Sequence, residues 1–134
     1  MASDQYSFNY YSTAQGLSNN SVNCTVQDSL GYIWIGTKDG LNRFDGRTFK
    51  VYRNRPGDKS SISNNYILKI FQDNKGVLWI GTRGGGLCRF NRESDSFISY
   101  IYNETDTESI SHPEITSIYQ DSGGIIWLER MVEV

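Results

Sequence analysis

Three aspartates stand at a fixed distance from three tryptophans in this sequence. Asp28, Asp73 and Asp121 each precede a tryptophan, Trp34, Trp79 and Trp127, by six residues, and Gly31, Gly76 and Gly124 lie between them. A carboxylate so placed can contact a ligand, or it can hold its own turn. The repetition favours the turn. Asp bonds its own backbone two residues on, and Gly supplies the positive φ of a tight hairpin. The tryptophan is then a packing residue with one polar edge.

Other reactive groups form no recognisable constellation. Glu93, Asp95, Glu104, Asp106, Glu108 and Glu114 fall in turns and connectors, and nothing pairs two of them for glycoside hydrolysis. His112 is the one histidine, in a loop before Pro113, so no His-rich metal site is expected. Cys24 and Cys88 have no metal spacing and are expected to pack, unbridged, within strands. The aspartate turns lack the spaced ligands of a calcium loop. Arg83-Gly84-Gly85-Gly86 lacks the Lys and Ser/Thr of a phosphate loop. No catalytic residue, metal or cofactor is expected, and the chain is read as no enzyme.

The chain has 134 residues, with 13 Lys+Arg against 15 Asp+Glu and a net charge of −2, which argues against nucleic-acid binding. No apolar run reaches the ~18 residues of a membrane span. Met1-Ala2-Ser3-Asp4 has neither the basic nor the apolar region of a signal peptide.

The elements that position the aspartates follow from a repeat. Gln27-Asp28-Ser29-Leu30-Gly31-Tyr32-Ile33-Trp34-Ile35-Gly36-Thr37 returns after 45 residues as Gln72-Asp73-Asn74-Lys75-Gly76-Val77-Leu78-Trp79-Ile80-Gly81-Thr82. After 48 more it returns as Gln120-Asp121-Ser122-Gly123-Gly124-Ile125-Ile126-Trp127-Leu128, and then Glu129 breaks the pattern. Each repeat reads as short strands. The first covers 22–27, 67–72 and 115–120. The second covers 32–37, 77–82 and 125–128, and is apolar on both faces, as a strand covered on both sides should be. The third covers 40–44 and 86–90; the fourth covers 48–52 and 96–100. Residues 6–11 look like a detached copy of the fourth strand, because Phe8 and Tyr11 have the spacing of Phe49 and Tyr52.

Four short strands in a unit of this length are the signature of a β-propeller blade. The expected fold is all-β: four-stranded antiparallel blades in an incomplete propeller of about two and a half blades. Residues 1–134 form a single partial propeller. It comprises a leading strand and connector (6–20), blade 1 (21–59), blade 2 (60–107) and a truncated blade 3 (108–134).

Gly-Leu-Ser-Asn-Asn, Gln-Asp, Trp-Ile-Gly-Thr and Gly-Leu-x-Arg-Phe together resemble the two-component regulator propeller repeat. That resemblance implies the N-terminal part of the periplasmic sensor region of a Bacteroides-type hybrid histidine kinase/response regulator. Such regions typically recognise oligosaccharides released from polysaccharides. The kinase, receiver and DNA-binding parts of that family have no counterpart here. A likeness to the sialidase Asp-box, Asp-x-Gly-x-Thr-Trp, is poorer, because the spacing differs and the Thr is missing.

Propeller ligands usually sit on loops at one mouth of the ring. Lys38 and Asp39 in one turn, and Arg83 in its counterpart, are therefore the candidate ligand contacts, against a solvated surface role. The motif residues Asp28, Gly31, Trp34, Gly36, Asp73, Gly76, Trp79, Gly81, Asp121, Gly124 and Trp127 are assigned to structure. The open blade edges predict self-association. No membrane or nucleic-acid contact is expected. The alternative functions are an oligomerising structural module without ligand, or part of a glycan-active propeller enzyme.

Overall fold

The computed structural model describes residues 5–129. Residues 1–4, read above for a signal peptide, and 130–134, the end of the truncated third blade, lie outside that range. The strands are β1 (Val22–Gln27), β2 (Ile33–Thr37), β3 (Gly40–Phe44), β4 (Phe49–Tyr52), β5 (Ile67–Gln72), β6 (Leu78–Thr82), β7 (Leu87–Asn91), β8 (Ser96–Tyr100), β9 (Ser117–Gln120) and β10 (Ile126–Glu129). They form three antiparallel sheets, β1-β2-β3-β4, β5-β6-β7-β8 and β9-β10. Two four-stranded blades and half of a third are therefore present, as the repeat predicts.

The second strands begin one residue later than expected, and the aspartate is the reason. The N–H groups of Tyr32, Val77 and Ile125 donate to the aspartate Oδ1 of their own turns at 3.0, 2.9 and 3.0 Å. Those residues therefore stay in the turn. The first strand of the third unit starts at Ser117 rather than at 115, and Thr13–Gln15 forms one 3-10 turn, capped by Ser12, where no helix was expected.

Residues 6–11 are a correction: they form no strand, because no ladder partner lies beside them among the described residues. Tyr6, Phe8 and Tyr10 are exposed. Tyr11 nevertheless packs on Phe44 and Phe49 with ring centroids 5.0 and 5.9 Å away. Tyr52 packs in the same way on Phe90 and Phe97, at 5.8 and 5.4 Å. The segment thus takes the place of a fourth strand against blade 1 without pairing as one.

The core lies between units. Trp34, Leu41 and Tyr52 of the first sheet meet Ile67, Ile70, Leu78, Ile80, Phe90 and Phe97 of the second. Leu87, with Phe71 and Trp79, meets Ile115, Ile118 and Ile126 of the third. Alternate residues of β6 face opposite neighbours, Leu78 and Ile80 the first unit and Trp79 the third, which explains its double apolar pattern. Cys24 and Cys88 are free thiols. Both pack in the core, and burial pushes the Cys24 thiol up to about 11.

One glycine in each of the first two units permits this approach. A Cβ on Gly36 would lie 2.5 Å from Ile67 Cγ2, and one on Gly81 would lie 2.9 Å from Ile115 Cγ2. Ile67, at the start of β5, and Ile115, just before β9, therefore lie against the bare backbone of the unit before them. Gly36→Ala should cost about 1–3 kcal/mol through overpacking. Urea unfolding followed by tryptophan fluorescence measures this, and Ile67→Ala, which removes the opposing Cγ2, should cost less when added to Gly36→Ala than when made alone. An unchanged midpoint for Gly36→Ala would show that the units do not meet here.

Candidate functional site

In an antiparallel blade the β1–β2 and β3–β4 turns lie at one end and the β2–β3 turns and inter-blade connectors at the other. The aspartates belong to the first end. Each uses both carboxylate oxygens. Asp28 Oδ1 accepts from Leu30 N–H at 2.9 Å, and Oδ2 accepts from the Trp34 indole at 2.7 Å. Asp73 repeats this with Lys75 and Trp79, both at 2.9 Å, and Asp121 with Gly123 and Trp127, also at 2.9 Å. Gly31, Gly76 and Gly124 close the turns at φ +94°, +83° and +84°.

The glutamine before each later aspartate joins units. Gln72 Oε1 accepts from Ser29 N–H at 3.1 Å, and Gln120 Oε1 accepts from Asn74 N–H at 2.8 Å. Arg92 crosses from the second unit to Asp28 Oδ2 at 2.9 Å, where the carboxylate is fully buried. Sequence reasoning missed this pair, since 64 residues separate its two partners.

Burial acts most strongly on Asp28 and opposes its charge. The Trp34 and Arg92 hydrogen bonds outweigh it and hold the carboxyl below its ordinary 3.8. Asp73 is lowered likewise against burial, by Trp79 and the turn N–H groups. Asp121 is lowered by Trp127 and its own turn. These aspartates are thus internal supports.

The candidate residues lie at the opposite end. Arg53 Nη2 lies 3.5 Å from Asp39 Oδ2, and its Nε donates to the Asp39 carbonyl at 3.1 Å. Asp39 is therefore already paired. The exposed Arg83 guanidinium lies 4.9 Å from the Tyr66 ring centroid. Lys38 is exposed, and its side chain makes no hydrogen bond or ion pair among the described residues. Lys38 and Arg83 occupy equivalent turns in neighbouring units at one end of the stack, with no direct bond between them. Tyr66 is the addition that sequence reasoning missed; it stands two residues after Asn64, in the loop entering the second unit.

His112 Nδ1 accepts from Glu114 N–H at 3.1 Å. Asn19 and Asn64 hold Ser21 and Tyr66 in the same way, at 2.7 and 2.9 Å. The histidine is a turn cap in a repeated position. Among the carboxylates, Asp95 bonds Lys50 and accepts from Tyr52 Oη at 2.6 Å across the unit boundary. No cluster of metal-ligating side chains occurs among the described residues.

The two-component regulator propeller model matches residues 16–39 and 61–84. Both matched segments are two-component regulator propeller repeats. It is 53% identical over 55 residues to Histidine kinase P4 of Formosa agariphila, a match spanning 41% of this chain and 4% of that protein. The extracellular domain described as the hybrid two component system BT3049 of B. thetaiotaomicron superposes with a TM-score of 0.82 at 34% identity, over 90% of this chain and 17% of that domain. The extracellular domain of BT4673 from the same organism, described as a one component system, superposes with a TM-score of 0.74 at 28% identity, over 96% of this chain and 18% of that domain. The repeats of this chain thus span a small part of each relative. No helix among its described residues is long and apolar enough to cross a membrane.

The lowered aspartates set the pH dependence. Their contribution is complete above the ordinary carboxylate value and is lost as pH falls through the lowered one. Urea midpoints should therefore hold steady above pH 5 or so and drop below about 3.8. Asp28→Asn replaces Oδ2, which accepts from Trp34 and Arg92, and should cost about 1.5–3 kcal/mol at neutral pH. It should also flatten the acid limb, and an acid limb of unchanged steepness would count against this role.

Proposed function

We propose that this chain is an extracytoplasmic segment of a ligand-sensing propeller in a hybrid two-component system. Its ligands are oligosaccharides derived from polysaccharides, and the chain carries no signalling catalysis of its own. The observation that carries the reading is its likeness, over nine-tenths of its length, to an extracellular domain described as part of such a system. The rim of Lys38, Tyr66 and Arg83 suits that ligand class. A guanidinium supplies planar hydrogen-bond donors for hydroxyl and carboxylate groups, and a tyrosine face accepts the apolar side of a sugar ring. Placement outside the cytoplasm belongs to the same reading.

A structural module without ligand is the second reading. It is favoured by the internal use of the motif aspartates and by the Asp39–Arg53 pair.

Heteronuclear NMR titration with a panel of oligosaccharides separates the two. The sensing reading expects saturable shifts at Lys38, Tyr66 and Arg83, with no new reducing ends released. Arg83→Ala should weaken binding about tenfold, or ~1.4 kcal/mol. No shifts across the panel would leave the structural module, and released sugar would show an enzyme.

A further inference from the structure

The contact between units is made twice in this chain, so its requirements can be read from two copies. Trp34 and Gly36 of the first unit receive the second, and Trp79 and Gly81 of the second receive the third. The corresponding residues of the third unit are Trp127 and Glu129. The ladder confirms the equivalence: Gly36 pairs with Cys24, Gly81 with Lys69, and Glu129 with Ser117. Trp34 is 0% exposed beneath the second unit, whereas Trp127 is 59% exposed and Tyr119 beside it 62%. The third unit thus keeps the aromatic part of the receiving face and loses the glycine.

The first unit presents the complementary face. Val22 stands at the position of Ile67 and Ile115, and is 45% exposed where they are 0% and 2%. Gln27 stands where Gln72 and Gln120 reach across to the preceding turn, and Ser122 offers the N–H that such a glutamine takes. Stacked by the same rule, Val22 of a second copy meets Glu129. At the two glycines a Cβ already comes within 2.5 and 2.9 Å of the docking isoleucine. A glutamate there adds a carboxylate that burial would strip of its water.

We propose that Glu129 closes the outer face of the third unit to the first unit of a second copy, and that a glycine there opens it. The second copy is the occupant because its Val22 and Gln27 would meet the third unit as Ile67, Gln72, Ile115 and Gln120 meet the units before theirs. The edge of β10 is a different surface, and among the described residues no strand pairs with it.

The test is light scattering across a concentration series on the chain, Glu129→Gly and Glu129→Ala, with tryptophan emission recorded in parallel. Glu129→Gly should self-associate about tenfold more strongly than the unaltered chain, with emission moving to the blue as Trp127 is covered. Glu129→Ala keeps a Cβ and should behave like the unaltered chain. Adding Val22→Asp to Glu129→Gly should abolish the gain, whereas pairing through the β10 edge is indifferent to Val22. The proposal is overturned if Glu129→Gly gains nothing, if Glu129→Ala gains as much, or if the Val22→Asp double variant keeps the gain.

Discussion

Each unit of this protein lies closer to the next than a side chain at the meeting point would allow. Gly36 and Gly81 leave bare backbone where Ile67 and Ile115 come to rest. Once that approach is made, Trp34, Leu41 and Tyr52 find the second sheet within reach, and the apolar residues of both sheets become one core. A single sheet of four short strands has two apolar faces and cannot bury either alone. Stability is therefore a property of neighbouring units, as in other repeat proteins.

The aspartates serve this contact from the other side of the tryptophan. Burying an indole requires a partner for its N–H, and Asp28 Oδ2 supplies one at 2.7 Å. The same carboxylate holds the turn that starts the second strand, so strand register and tryptophan orientation are set by one group. Gln72 and Gln120 extend the arrangement across the boundary. This is why the motif recurs as a block: each member has a partner elsewhere in the block or in the next one. It also explains why repeated acidic residues here are poor candidates for a single binding site.

The end of the stack carrying the connectors is less constrained. Lys38 and Arg83 project from turns of different length, and Asp39 is drawn to Arg53. Their equivalence could be read from the repeat, but the state of each could not. Arg53 lies 14 residues beyond Asp39, and nothing in the spacing joins them. Tyr66 was hidden because it has no aromatic counterpart: Ser21 holds that place in the first unit and Glu114 in the third. His112 shows the converse case. It looked singular among the reactive groups, yet its ring nitrogen does what Asn19 and Asn64 do.

The sequence by itself determined the unit and its strand content, because a period of 45 and then 48 residues places the same turn formers and apolar pairs in every copy. It also determined the role of the aspartates, since turn chemistry is local and acts within six residues. The tertiary structure decided what depends on neighbours. It showed that residues 6–11 lie against blade 1 through Tyr11 without becoming a strand, since pairing needs a ladder partner. It joined Arg92 to Asp28 across 64 residues. And it gave Gly36 and Gly81 their meaning, because each is defined by the approach of another unit and by nothing in its own strand.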